Sequence, residues 1–220
     1  MNALYACIRV ELVKFFRAKI ALVTLLVFAI FTPSMILGPG FSPLHVLYIE
    51  GSFCFSIIAA WIFGWEFVHK TSTELLVFPA ARSTVVFAKV IALAAGVLIL
   101  SAGNFILSCV ITGTWEAAAQ DLARQGILTV MLLALCMPVF FLSLCSRGYF
   151  LPVAVSVAVI LYVNIDSSGL PFTRYIPWAI PLMYVMEENS LQPVDIVMLA
   201  VMGVGGLLAS LAWWRWADHT

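Results

Sequence analysis

Gly64-Trp-Glu-Phe-Val-His-Lys-Thr-Ser-Thr-Glu-Leu-Leu-Val-Phe-Pro-Ala-Ala-Arg-Ser-Thr-Val-Val-Phe-Ala-Lys89 is the longest charged connection between two strongly apolar segments of the 220-residue chain. Thr71 to Glu74 has the spacing of a capping box, in which a hydroxyl caps a helix start and a Glu three residues on reaches back to it. Leu75, Leu76, Val77 and Phe78 follow, and Pro79 ends the turn because it has no amide hydrogen to continue the ladder. The stretch therefore predicts a short helix between two membrane spans, offering both apolar and charged side chains.

The surrounding composition makes those flanks membrane segments. Hydrophobic residues are 64% of the chain and charged residues 10%, where a soluble domain is nearer half and a quarter. Nothing points to nucleic acid, because the eleven basic residues are scattered and form no patch to follow a phosphate backbone. The five Cys (7, 54, 109, 136 and 145) lie in or beside apolar runs and read as small hydrophobes, without a disulfide framework.

Six spans are expected, at approximately residues 20–37, 44–65, 83–115, 126–145, 149–165 and 196–214, giving an all-α integral membrane protein. The first is interrupted by Pro33 and runs into a Gly-Pro-Gly-Phe-Ser-Pro loop, without the cleavage site of a signal peptide. The third is uncharged from Val90 to Trp115, enough to cross ~30 Å of hydrocarbon. Residues 1–19 form a unit of their own. From Leu4 to Lys19, Leu4, Ile8, Leu12, Phe15 and Phe16 share one helical face and Glu11, Lys14 and Arg17 the other, with Val10 misplaced on the polar side and Arg9 at the boundary. Such a basic amphipathic helix lies in the membrane interface. Between spans five and six, Pro171, Pro177 and Pro181 deny residues 170–186 a continuous helix. Re-entrant or surface-lying helices are expected there, with Tyr175, Trp178 and Tyr184 at the interface. Trp213, Trp214, Arg215 and Trp216 read as an interfacial anchor.

With both termini inside, nine basic residues face the cytoplasm (Arg9, Lys14, Arg17, Lys19, Lys70, Arg82, Lys89, Arg147 and Arg215) and two, Arg124 and Arg174, face out. That bias orients the chain. No ionisable residue falls at the centre of a span, with Glu50 and Glu66 near span ends, so gradient-driven carriage is the weaker reading.

The connection resembles the coupling segment of type-2 ABC transporter permeases. That family places a Gly-x-Glu at the inner end of the second span, then a Thr-rich turn, a Leu-Leu pair, a Pro, a small residue with Arg, and a Lys opening the third span. Here these are Gly64 and Glu66, Thr71 and Thr73, Leu75 and Leu76, Pro79, Arg82 and Lys89. The resemblance implies that segment 66–82, with Glu66, Thr71, Thr73, Glu74, Leu75, Leu76, Phe78, Pro79 and Arg82, docks on a separate ATPase. The chain carries no Gly-x-x-x-x-Gly-Lys-Ser/Thr loop, so ATP and magnesium belong to that partner and no cofactor is expected here. The resemblance also implies a bacterial plasma-membrane exporter built from two permease halves, identical or homologous. The short outer loops and the Tyr-Ile-Pro-Trp-Ala-Ile-Pro run look like permeases that expel antibiotic peptides, which suggests an amphiphilic peptide or lipid-like cargo.

Glu66 has two readings, a partner for a basic residue or the ATPase and a mere boundary marker. Small residues at four-residue spacing, Gly205 with Ala209 and Gly206 with Ser210, suit close helix packing, either within one subunit or at a dimer seam. Two other classes compete. A non-transport membrane scaffold fits the composition. An intramembrane enzyme fits less well: Gln192 stands where the Glu187-Glu188 pair of a prenyl-protein-type metalloprotease needs Arg, and His45, His69 and His219 are far apart.

Overall fold

A computed structural model describes residues 3–38, 42–69, 81–113, 118–166, 175–186 and 191–216. Every described element is helical: α1 Ala3–Arg17, α2 Lys19–Ile36, α3 Pro43–Val68, α4 Arg82–Thr112, α5 Ala118–Ser146, α6 Phe150–Asp166, α7 Ala179–Met186 and α8 Pro193–Trp216. Among the described residues, four helices are long and apolar enough to cross a membrane, Pro43–Val68, Ser83–Thr112, Asp121–Ser146 and Pro193–Trp216. The α1–α2 pair, bent by 57°, makes a fifth if counted as one span, and Phe150–Ile165 is shorter.

Local chemistry sets the helix ends. Ser42 caps α3, its side chain accepting from the His45 amide at 3.3 Å, and Pro43 occupies the first turn, where a missing N–H costs nothing. Gly113 closes α4 in the left-handed region at φ 68°, which glycine enters without strain. Between α5 and α6 the chain turns through Arg147, at φ 51°. Pro181 sits in the first turn of α7, so it breaks no ladder bond.

α3 is the hub. It packs against α2, α4, α5, α6 and α7, and 83% of its most apolar window is buried. Phe55, Ile58, Ala59 and Phe63 lie in the shared core, and Phe63 meets Phe140 of α5 edge-on at 4.1 Å. The helix begins close to α6 and ends closer still: a Cβ on Gly64 would stand 2.6 Å from the Tyr149 amide nitrogen and 2.7 Å from the Gly148 carbonyl carbon. Ser143 fastens the same contact by donating to the Ala60 carbonyl at 2.8 Å and the Gly148 carbonyl at 3.0 Å.

α8 differs, with only 11% of its window buried. It leans on α5 through glycines. A Cβ on Gly206 would lie 2.7–2.9 Å from Met137 and Pro138 atoms, and one on Gly203 3.2 Å from Ala134, whereas Gly205 faces open space. Ser210 is buried and donates to the Gly206 carbonyl at 2.7 Å; Ala209 is half-buried.

Two aromatic expectations fail. Trp214 is not an interfacial anchor: it is 2% exposed, wedged against Phe63 at 5.7 Å and Phe67 at 6.2 Å. Trp216, 77% exposed, keeps the outward position. Tyr184 is likewise buried, because α7 tucks against α3 and α5, while Tyr175 is exposed. In both cases helix packing against α3 claims the ring.

Gly206→Ala should lower unfolding stability by about 1–3 kcal/mol, the cost of overpacking a close seam. Gly205→Ala, at a position that faces open space, should not lower it and should raise it by up to about 1 kcal/mol, because alanine is the better helix former. Thermal unfolding of both variants in detergent distinguishes them, and equal effects would contradict the seam.

Candidate functional site

Three helices meet at a buried charge cluster. α1 contributes Glu11 and Lys14, α3 contributes Glu66 in its last turn, and α4 contributes Lys89 from its eighth position. Lys89 Nζ donates to Glu66 Oε1 at 2.8 Å, to the Ile62 carbonyl at 3.0 Å and to Glu11 Oε2 at 3.2 Å, satisfying its three hydrogens. It also lies 4.9 Å from the centre of the Phe63 ring, within cation–π reach. Lys14 Nζ donates to Glu66 Oε1 at 2.9 Å and Glu11 Oε1 at 3.0 Å. The four formal charges cancel. Lys89 is wholly buried and the two carboxylates nearly so, while Lys14 is 37% exposed at its side chain.

Burial pushes the Glu11 carboxyl up, but Lys89 and then Lys14 outweigh it, so Glu11 sits below its ordinary value. Burial likewise opposes charge on Lys14, yet Glu66 and Glu11 raise it above the usual lysine value. Both groups are therefore held ionised.

Position matters as much as strength. Glu66 lies just before the connection that runs from residue 70 to residue 80, and Lys89 just after it. The cluster ties the end of α3 to the start of α4 and pins α1 to both. A nearby close contact supports the same arrangement: Phe15 meets the Gly96 position of α4, where an added Cβ would be 2.9 Å from its ring.

The sequence-derived site residues divide accordingly. Glu66 pairs with Lys14 and Lys89. Arg82 opens α4, and its side chain falls outside the described residues. Thr71, Thr73, Glu74, Leu75, Leu76, Phe78 and Pro79, and the short helix expected there, also lie outside the described residues. Glu11 corrects the reading of α1: it faces inward, 7% exposed, rather than sharing a water-facing stripe with Lys14 and Arg17. Cys7, Glu11 and Phe15, at four-residue spacing, form the buried stripe of α1, and Phe16 is exposed instead. The four-residue spacing of Cys7, Glu11 and Phe15 places Glu11 on that stripe, but the partner that stabilises its buried charge, Lys89, is remote in sequence.

A second polar group lies further along the same helices. Thr32 of α2 donates to Glu50 Oε2 of α3 at 2.6 Å, and Asn104 Nδ2 of α4 to Thr32 Oγ1 at 3.4 Å. Glu50 Oε1, Asn104 Oδ1 and Ser108 Oγ have no hydrogen-bond partner among the described residues. Glu50 is thus 5% exposed, enclosed by the neighbouring helices. No group of three potential metal ligands occurs among the described residues.

A family model described as "ABC-2 family transporter protein" matches residues 7–164, which takes in the cluster, the connection and the second polar group. The chain belongs to the ABC-2 transporter family. It is also 21% identical over 187 residues to the bacitracin transport permease protein BCRB of Bacillus licheniformis, across 80% of this chain and 88% of that protein. In this ABC-2 permease the motif residues Gly64, Glu66 and Lys89 acquire physical reasons. Gly64 admits the Gly148–Tyr149 backbone, and Glu66 and Lys89 neutralise each other in a dry site.

Lys89→Met should destabilise the protein by about 3–5 kcal/mol, because it strands two buried carboxylates. Adding Glu11→Gln and Glu66→Gln should recover much of the loss in thermal unfolding. No recovery would show that the lysine acts through packing alone.

The pH dependence has a definite sign. Glu11's depressed value makes its contribution present above pH 4.5 and lost as pH falls through the lower folded value. Lys14's raised value makes its contribution present below pH 10.5 and lost as pH climbs past the folded value. Protection of the α1 amides, taken relative to the intrinsic exchange rate at each pH, should fall at both extremes and stay flat between them. Glu11→Gln should abolish the acid limb.

Proposed function

We propose that the chain is one permease half of an ATP-driven exporter, coupled through residues 66–82 to a separate ABC ATPase that supplies ATP and magnesium. The observation that carries this is the neutral cluster that ties the end of α3 to the start of α4. A push on the connection reaches Glu66 and Lys89, and through them Glu11 and Lys14. Their mutual attraction in a water-poor site resists separation, so the inner ends of α3 and α4 and the whole of α1 move as one piece. A second half, identical or homologous, would complete the path. Lys19–Ile36 and Phe150–Asp166 would bring the spans to six. The nine-to-two basic asymmetry supports an orientation with both termini in the cytoplasm, in a bacterial plasma membrane.

The cargo we propose is an amphiphilic peptide or lipid-like compound. The bacitracin transport permease supports this by similarity across most of both chains. Short outer loops also suit cargo arriving from the bilayer.

The purified chain alone should hydrolyse no ATP. Tagged and purified from its native membrane, it should bring down a polypeptide with a Gly-x-x-x-x-Gly-Lys-Ser/Thr loop. Leu76→Asp and Pro79→Leu should each reduce that recovery at least about tenfold, the effect expected of disrupting a buried contact in a docking interface. Expression of the assembled pair in a sensitive bacterium should raise the inhibitory concentration of bacitracin. Undiminished recovery and resistance in both variants would reject the docking role.

A further inference from the structure

α1 leaves a groove of about 850 Å³ between its outward face and the last turns of α3. Val10 and Val13 form one wall, and Trp61 and Trp65 the other. The two indoles are 5.5 Å apart. Arg9, Arg17 and Lys19 border the groove, all exposed and with no ion pair among the described residues. Glu11 and Glu66 are engaged by Lys14 and Lys89. The groove therefore joins apolar walls to three cations that have no ion pair among the described residues.

We infer that this groove binds an anionic phospholipid, with its phosphate among Arg9, Arg17 and Lys19 and its glycerol and first methylenes between the valines and the tryptophans. Charge complementarity selects the ligand. A free anion would leave the apolar walls wet, and a neutral lipid would leave three cations facing its phosphate–ammonium pair without net attraction. The volume lies within the ~300–1,000 Å³ of ligand pockets, so the remaining acyl chain extends into the bilayer. Indole rings favour this depth, where one edge is apolar and the other wet. The site also explains Val10, the apolar residue on the polar side of α1: it faces acyl chain, not water.

The test uses the full-length chain in phosphatidylcholine vesicles, with phosphatidylglycerol or phosphatidylcholine brominated on the acyl chains as quencher of tryptophan fluorescence. At equal mole fraction the brominated phosphatidylglycerol should quench more. That excess should vanish in Trp61→Phe/Trp65→Phe, which removes the reporters at the groove and leaves the other five tryptophans. Removing three charges near a membrane surface should weaken apparent phosphatidylglycerol binding by at least about tenfold in Arg9→Gln/Arg17→Gln/Lys19→Gln. The charge-keeping variant Arg9→Lys/Arg17→Lys should retain the excess, which separates lost charge from lost folding. Inorganic phosphate should not relieve it. Equal quenching by the two lipids overturns the proposal, as does an excess that survives the triple charge variant or the tryptophan variant. Relief by inorganic phosphate would overturn the lipid and assign the cations to a free anion.

Discussion

Taking a lysine and two carboxylates out of water costs several kcal/mol per ion even after relaxation, and the rest of this structure is arranged around recovering that cost. Lys89 is fully enclosed because three acceptors, Ile62 and Glu66 on α3 and Glu11 on α1, occupy its three hydrogens. None of the three can be withdrawn without leaving a buried charge exposed to hydrocarbon. The helices that provide them are therefore committed to one mutual position. α1 is not a loose amphipathic strip beside the bundle but a structural member of it.

Much of the helical layout was legible in hydropathy, because lipid demands long apolar runs and satisfied backbone. Pro43–Val68 and Pro193–Trp216 fall close to the expected spans, and the turn through Arg147 lies between the spans expected at 126–145 and 149–165. What hydropathy does not encode is which face of a span meets which neighbour. Trp214 and Tyr184 show the consequence: an aromatic near a helix end fits both an interface and a core, and only the presence of Phe63 and Phe67, or of α3 and α5 beneath α7, decides.

The site was half legible for a related reason. Glu66 and Lys89 stand at the two ends of a recognisable connection, so their chemistry was visible although their pairing was not. Glu11 was read as solvent-facing because an acid on an amphipathic helix normally points to water. That rule assumes no charge partner below the helix. Lys89 lies 78 residues away in sequence, and no local period can announce it. The misplacement of Val10 was the visible symptom, since α1 has an inward stripe holding Glu11 and a separate outward apolar strip beside Trp61 and Trp65.

The two polar groups along α3 and α4 impose different constraints. The charge cluster is electrically neutral and tightly bonded, so it couples α1, α3 and α4 strongly. The other group joins α2, α3 and α4 through a single short bond, Thr32 to Glu50, and a long one from Asn104. It leaves Glu50 Oε1, Asn104 Oδ1 and Ser108 Oγ without partners among the described residues. Buried acceptors in that state lower the cost of any rearrangement that gives them a donor, because an unmade hydrogen bond is worth more than a remade one. Between the groups, α1 and α2 meet at a 57° bend through Ala18, whose ψ of 135° is extended. α1 is held by the charge cluster and α2 by the Thr32–Glu50 group. A displacement applied to the cluster would therefore be absorbed first at that bend and at the Thr32 and Asn104 bonds, the places where least bonding has to be broken.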